Sequence, residues 1–147
     1  MSAAEHSAEL ADGYHLDAQV GFLLRKAQQR HTAIFAEHMV DGLTPTQFAA
    51  LARLAEMGTV SQNRLGRMTA MDAATIKGVT DRLRRQGLAE TRRDATDRRR
   101  LLVELTALGR TTVEAAMDAG AAITELTLEP LVAAERRQLL TLLEKIT

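Results

Sequence analysis

Residues 94–109, Asp94-Ala-Thr-Asp-Arg-Arg-Arg-Leu-Leu-Val-Glu-Leu-Thr-Ala-Leu-Gly109, leave the chain little conformational choice. A compact run of charge passes directly into an alternating apolar strand at residues 100–105. The strand stops at Thr106, whose hydroxyl suits the N-cap of a helix. Residues 88–92 have the length and pattern of a partner strand, so residues 93–99 become the loop of a hairpin with a cationic tip. Immediately upstream, Asp72 caps and Gly87 stops a helix over residues 73–86. That helix buries Ile76, Val79 and Leu83 at helical spacing.

The remaining periodicity is helical. A long helix over residues 16–40 carries the stripe Leu16, Val20, Leu24, Ala27 and Ile34, flanked by Leu23 and Phe35, and Asp41-Gly42 ends it. Thr44-Pro45 caps a second helix that holds Phe48, Leu51, Leu54 and Ala55 and closes near Gly58. Ser61 or Thr59 caps a short third helix, residues 62–68, with Leu65 and Met68 inward. The turn Thr69-Ala70-Met71 joins it to the helix at 73, and two short helices on so tight a turn form a helix-turn-helix. A fifth helix, residues 107–126, has Leu108, Val113, Ala116, Met117, Ala121 and Ile123 on its stripe and is weakened at Gly120. Leu128-Glu129-Pro130 breaks it. The last helix, residues 133–146, carries Leu139, Leu140, Leu142, Leu143 and Ile146.

The predicted fold is therefore mainly α with a small β-hairpin wing: a winged helix-turn-helix whose terminal helices form a dimerisation domain. Residues 1–13 are expected to be a flexible N-terminus and 14–42 a dimerisation helix. Residues 43–105 form the winged lobe, and 106–147 are C-terminal dimerisation helices. The terminal helices lie outside the winged core with apolar faces that need a partner. They either cap their own chain or pair in a symmetric homodimer, which would supply two reading heads for a palindromic site.

Charge distribution points to the partner. The chain has 19 basic and 19 acidic residues, yet the charge is unevenly placed. Residues 62–100 hold Arg64, Arg67, Lys77, Arg82, Arg84, Arg85, Arg92, Arg93, Arg98, Arg99 and Arg100 against Asp72, Asp81, Glu90, Asp94 and Asp97. This excess belongs to a surface that meets phosphates, or to a solvated charged face. There is no cysteine, which excludes disulfides, thiolate metal sites and thiol redox sensing. No apolar run reaches bilayer length, and residues 1–10 lack the pattern of a secretory signal, so a cytoplasmic protein without membrane association is expected. No nucleophile–base arrangement, paired carboxylates or phosphate-cradling loop suggests an enzyme, and neither a cofactor nor a metal is expected.

Double-stranded DNA is the expected partner. On the helix at 73–86 the outward face presents Ala74, Gly78, Asp81 and Arg85, flanked by Thr75, Lys77 and Arg82, with small Ala73 at its start. Its small residues let the backbone approach a major groove. Asp81 on that face needs a cation, and Arg85 at i+4 is the expected one. Gln62, Asn63 and Arg64 at the start of the third helix are placed for backbone phosphates. At the hairpin tip Arg92, Arg93, Arg98, Arg99 and Arg100 suit a narrow minor groove, with Asp97 holding the Arg99 guanidinium.

With these residues in place, the chain resembles the MarR (multiple-antibiotic-resistance regulator) family over residues 16–146. The likeness is carried by Asp97-Arg-Arg-Arg-Leu-Leu-Val-Glu-Leu-Thr-Ala-Leu-Gly109, a D-x-R wing followed by L-T-x-x-G. Leu43-Thr-Pro-Thr-Gln-Phe48 and Met71-Asp-Ala-Ala-Thr-Ile-Lys-Gly-Val-Thr-Asp-Arg-Leu83 also match. Ala95 stands where many members have proline. The resemblance implies a dimeric repressor released by a small phenolic or carboxylate compound that binds between dimerisation helices and DNA-binding lobe. Gln19-Val-Gly-Phe-Leu-Leu-Arg-Lys-Ala-Gln-Gln-Arg-His-Thr-Ala-Ile-Phe35 is similar to members controlling aromatic or N-heteroaromatic (nicotinate-type) acid catabolism.

For such an effector, His31 and His38 lie seven apart on the inner stripe of the first helix. They either hydrogen-bond an anionic ligand or are satisfied within the fold. Arg25 is the candidate partner of a carboxylate, and Phe22, Phe35, Phe48 and Met71 are candidate apolar walls. Two further readings stay open: a winged-helix protein-interaction module that does not read DNA, and a constitutive DNA binder without a ligand.

Overall fold

The computed structural model describes Ser2, Glu5 and residues 13–147. The flexible segment expected over residues 1–13 therefore lies largely outside the described residues. A 3-10 turn, Leu16–Ala18, leads into α1 (Val20–His38) and α2 (Pro45–Met57). β1 (Val60–Ser61), α3 (Gln62–Met68) and α4 (Ala73–Arg85) follow. Then come β2 (Ala89–Arg93), β3 (Leu101–Leu105), α5 (Ala107–Thr127) and α6 (Ala133–Lys145).

Local chemistry explains the boundaries. The Thr44 hydroxyl accepts from the Gln47 amide at 3.3 Å while Gln47 Oε1 accepts from the Thr44 amide at 3.0 Å, a capping box with Pro45 at the first helical position. Ser61, not Thr59, caps α3, accepting from the Arg64 amide at 3.2 Å. Thr59 instead donates to Glu104 Oε2 at 2.8 Å. Asp72 caps α4 through the Thr75 amide at 2.7 Å. Thr106 both accepts from the Gly109 amide at 3.0 Å and donates to the Gly87 carbonyl at 2.6 Å, tying the start of α5 to the end of α4.

The three strands form an antiparallel sheet in the order β1-β3-β2. Val103 of β3 stands opposite Val60 on one side and Thr91 on the other. β1 was not expected, because two residues are too short to show an alternating pattern. The winged core closes between this sheet and the helices: Leu51, Leu54, Leu65, Ile76, Val79, Leu83, Val103, Val113 and Ala116 are all buried. Each fully buried leucine stabilises the fold by roughly 2 kcal/mol through apolar area removed from water.

Several expected core positions are corrected. Ala55 and Ala121 are exposed, Met68 is only half-buried, and Leu108 stays 57% exposed. Gly120 does not interrupt α5; a Cβ there would stand 2.8 Å from the Phe48 ring, so the missing side chain is what lets α2 approach α5. Gly109 is tighter still, with the Leu88 carbonyl oxygen 1.9 Å from where its Cβ would be.

The terminal helices behave differently. Phe35 is the one fully buried residue of α1, and α6 has none. Leu16, Val20, Leu23 and Leu24 at one end and Leu140, Leu142 and Ile146 at the other are all exposed. Polar contacts hold α1 on α5: Arg30 donates to the carbonyls of Leu126 at 3.0 Å and of Thr127, and His31 Nδ1 lies 2.9 Å from the Thr127 hydroxyl. Arg136 ties α6 back through Glu125 at 2.6 Å and the Leu131 carbonyl at 3.0 Å.

Candidate nucleic-acid interface

α3 and α4 meet in a turn where Ala70 takes a left-handed conformation (φ 55°), which sends α4 sharply away from α3. The turn, the first residues of α3 and the β2–β3 hairpin then converge. Gln62, Asn63, Arg64 and Arg67 of α3, Lys77 of α4, and Arg93, Arg99 and Arg100 of the wing line one open groove of about 440 Å³. Six of these are cationic and no carboxylate lines the groove. Such a set favours a polyanion.

The wing is folded by its own carboxylates. Asp94 Oδ1 accepts from the Thr96 amide at 3.0 Å and the Thr96 hydroxyl at 2.9 Å. Those bonds, the amide one foremost, hold the Asp94 carboxyl below the usual carboxylate range. Asp97 Oδ1 accepts from the Arg99 amide at 3.1 Å and from its Nε at 3.2 Å, so the expected Asp97–Arg99 pair is present. Arg99 nevertheless remains 91% exposed, oriented yet free to reach a ligand. Arg98 is likewise exposed. Arg92, a basic residue near the tip in sequence, is drawn onto the sheet by Glu104 and leaves the groove.

On α4, Ala73, Ala74, Thr75, Lys77 and Arg82 are exposed and Gly78 is half-buried. No atom lies within 4 Å of where a Gly78 Cβ would be, so that stretch of backbone is open. The expected Asp81–Arg85 ion pair is not formed. Asp81 Oδ2 instead accepts from Lys77 Nζ at 3.0 Å, with Arg84 at 3.9 Å from the other oxygen. Arg85 Nε donates to the Asp81 backbone carbonyl at 3.3 Å instead of reaching its carboxylate. The Lys77 hydrogen bond is the main reason the Asp81 carboxyl lies below its ordinary range. Arg100 of the tip set also lines the groove, and Arg67 completes it without having been a candidate contact. Arg67 was legible as the i+3 neighbour of Arg64.

The six candidate effector residues are not gathered into one cavity. His31, Phe35 and Phe48 form a run, with ring centroids 6.4 and 6.1 Å apart. Phe22 lies under Lys26, whose Nζ is 5.6 Å from the ring centroid. Met71 packs on the winged core. Arg25 faces a separate shallow surface with Gln28, Gln29 and Thr32, because residues six apart on a helix point about 120° apart. His38 is exposed beside Glu37 rather than inward. Between α1, α5 and α6 runs a mainly apolar groove of about 410 Å³, which His31 lines together with Leu24, Thr127, Leu139 and Leu143. Among the described residues, no cluster of three metal-ligating side chains occurs and no helix is long and apolar enough to cross a membrane.

Residues 41–100, from the turn before α2 to the wing, match the sequence profile of the MarR family. Over 134 residues the chain is 43% identical to the HTH-type transcriptional repressor NicR of Pseudomonas putida, covering 90% of this chain and 85% of NicR. A probable transcriptional regulator from Pseudomonas aeruginosa superposes with a TM-score of 0.88 at 50% identity, over 90% of this chain and 100% of that one. BpsR of Bordetella bronchiseptica gives 0.87 at 42% identity, over 90% of this chain and 96% of that one. Its structure concerns the mechanism by which 6-hydroxynicotinic acid regulates DNA binding.

Proposed function

This chain belongs to the MarR family, and from that premise we propose that it is a dimeric repressor that binds a palindromic operator in double-stranded DNA and is released by a small aromatic or heteroaromatic carboxylate. The observation that carries the reading is the single groove in which α3, α4 and the wing pool six cationic side chains. Arg64, Arg67 and Lys77 engage phosphates and set the register. Arg93, Arg98 and Arg99 follow the backbone into the adjacent minor groove, Arg99 oriented by Asp97. Ala73, Ala74, Thr75, Gly78 and Arg82 face base edges in the major groove. The apolar faces of α1 and α6 support a dimer that presents two such grooves. The protein acts on cytoplasmic DNA without catalysing a reaction.

The effector class rests on the likeness to NicR and BpsR, the latter regulated by 6-hydroxynicotinic acid. His31, beside Phe35 and Phe48, is the residue we assign to its recognition.

Fluorescence anisotropy with the duplex upstream of the protein's own gene tests this reading. Affinity is expected to fall by about 10³-fold between 50 and 200 mM salt, the scale for roughly six phosphate contacts. Addition of 6-hydroxynicotinate is expected to release the duplex. Absence of binding at low salt overturns the DNA reading, and binding indifferent to aromatic acids overturns the effector. His31→Ala should blunt release while leaving DNA affinity within a few-fold. Arg25→Ala should blunt it less, since Arg25 faces away from the His31 groove.

A further inference from the structure

The DNA reading leaves one exposed carboxylate unexplained. Asp81 is the one acid within α4, on a helix that also carries Lys77, Arg82, Arg84 and Arg85. An anion on a helix that approaches phosphates weakens binding unless it serves another purpose. Its geometry suggests one. Asp81 is one turn beyond Lys77 on the same face of the helix. Its carboxylate takes the Lys77 ammonium at 3.0 Å and leaves Arg84 at 3.9 Å. Lys77 itself lines the cationic groove, and at 69% exposure its head is within reach of a bound backbone. The remaining groove cations come from α3 and the wing, and Asp81 is not among the residues lining their groove. Asp81 therefore occupies one cation of the interface in the free protein and leaves the others available.

We propose that Asp81 is a specificity-determining residue of the DNA interface, acting as an internal substitute for phosphate that holds Lys77 back from sequence-independent contacts. This rests on the DNA reading above. A random duplex offers Lys77 a phosphate only in exchange for the carboxylate it already has, and leaves Asp81 facing a polyanion with only Arg84, 3.9 Å from its other oxygen, as a cation beside it. A correct site supplies Asp81 with a donor, for which the cytosine N4 amino group at a base edge is the matching chemistry. Lys77 is then freed for a phosphate. The penalty thus falls on wrong sequences and is relieved at the right one, so discrimination comes partly from repulsion.

The test compares two duplexes: one of random sequence, and one enriched from a random pool by the wild-type protein. For Asp81→Asn, the random duplex should bind about five- to tenfold more tightly at 0.1 M salt. Its log–log salt slope should steepen by about 1.8, the signature of one added phosphate contact in each protomer of the dimer. The enriched duplex should gain less or lose affinity, so the ratio between the two falls. Asp81→Glu, which keeps the carboxylate, should restore most of the ratio. In a Lys77→Ala background, Asp81→Asn should no longer change the slope on the random duplex. A merely structural role for Asp81 would lower the melting temperature without moving the salt slope. Equal changes on both duplexes, an unchanged slope, or a full effect without Lys77 each overturn the proposal. If the wild-type protein binds neither duplex, the DNA reading itself falls; if it binds with its ratio untouched by Asp81→Asn, only the role of Asp81 does.

Discussion

The winged lobe and the terminal helices use their apolar residues in opposite ways. Between Leu43 and Ala116 nearly every periodic apolar position closes against another within the same chain, around Leu51, Leu65, Leu83 and Val103. In α1 and α6 the same kind of periodicity ends at solvent: Val20 is 65% exposed, Ile146 64% and Leu140 53%. A stripe of apolar residues therefore says only that a face must be covered. Whether the cover comes from the same chain depends on how many elements can reach it. The lobe has a sheet and three helices around one centre, closed by the start of α5, whereas α1 has α5 along one side and little else.

The largest effect is expected where the terminal helices stand alone. Leu140→Glu with Leu142→Glu should abolish the proposed pairing while leaving the lobe folded, and without two linked heads DNA affinity should drop by about 10²- to 10⁴-fold. Sedimentation velocity and anisotropy check it; a particle of unchanged size and affinity would show that α6 is not an interface. Next is the seam between the regions. Gly109→Ala sets a Cβ against the Leu88 carbonyl and should cost about 3 kcal/mol in urea unfolding. An unshifted midpoint would mean the lobe and α5 do not approach as closely as described.

Within the lobe, Arg99→Ala separates function from fold. Its exposed guanidinium contributes little to stability, so the melting temperature should hold while DNA affinity falls by about 1–3 kcal/mol. Loss of stability without loss of affinity would reverse that assignment. The smallest effect is a gain. Thr80 is 1% exposed, and among the described residues its hydroxyl is the one buried side-chain polar atom without a partner. Thr80→Val removes that cost and should stabilise the lobe by about 1 kcal/mol, raising the melting temperature by about 2–4 °C. A fall instead would reveal a hydrogen bond to the Thr80 hydroxyl.

The lobe was largely legible from one dimension. Thr44, Ser61, Asp72 and Thr106 each cap the helix expected of them, and the charge run at 94–100 is the loop of a hairpin. Of the DNA-facing candidates, Gln62, Asn63, Arg64, Lys77, Arg93 and Arg99 line one groove, whereas Ala73, Ala74, Thr75, Gly78, Arg82, Asp97 and Arg98 lie outside it. The effector candidates did not gather. Arg25 and His31 lie six residues apart on one helix, and helical rotation turns them to different surfaces. Gly120 reads as a weak point of α5 until the Phe48 ring is seen against it.

Caps, turns and amphipathic periods act over three or four residues, so the order of residues was enough to place the helices, the wing and its charge. Choices between competing partners act through space. That Asp81 takes Lys77 and not Arg85, that Val60 finds Val103, and that Arg30 reaches the carbonyls closing α5 all depend on distances set once remote segments have packed. Several partners of equal chemistry were available to each of these groups, and only the packed arrangement brought one within bonding range.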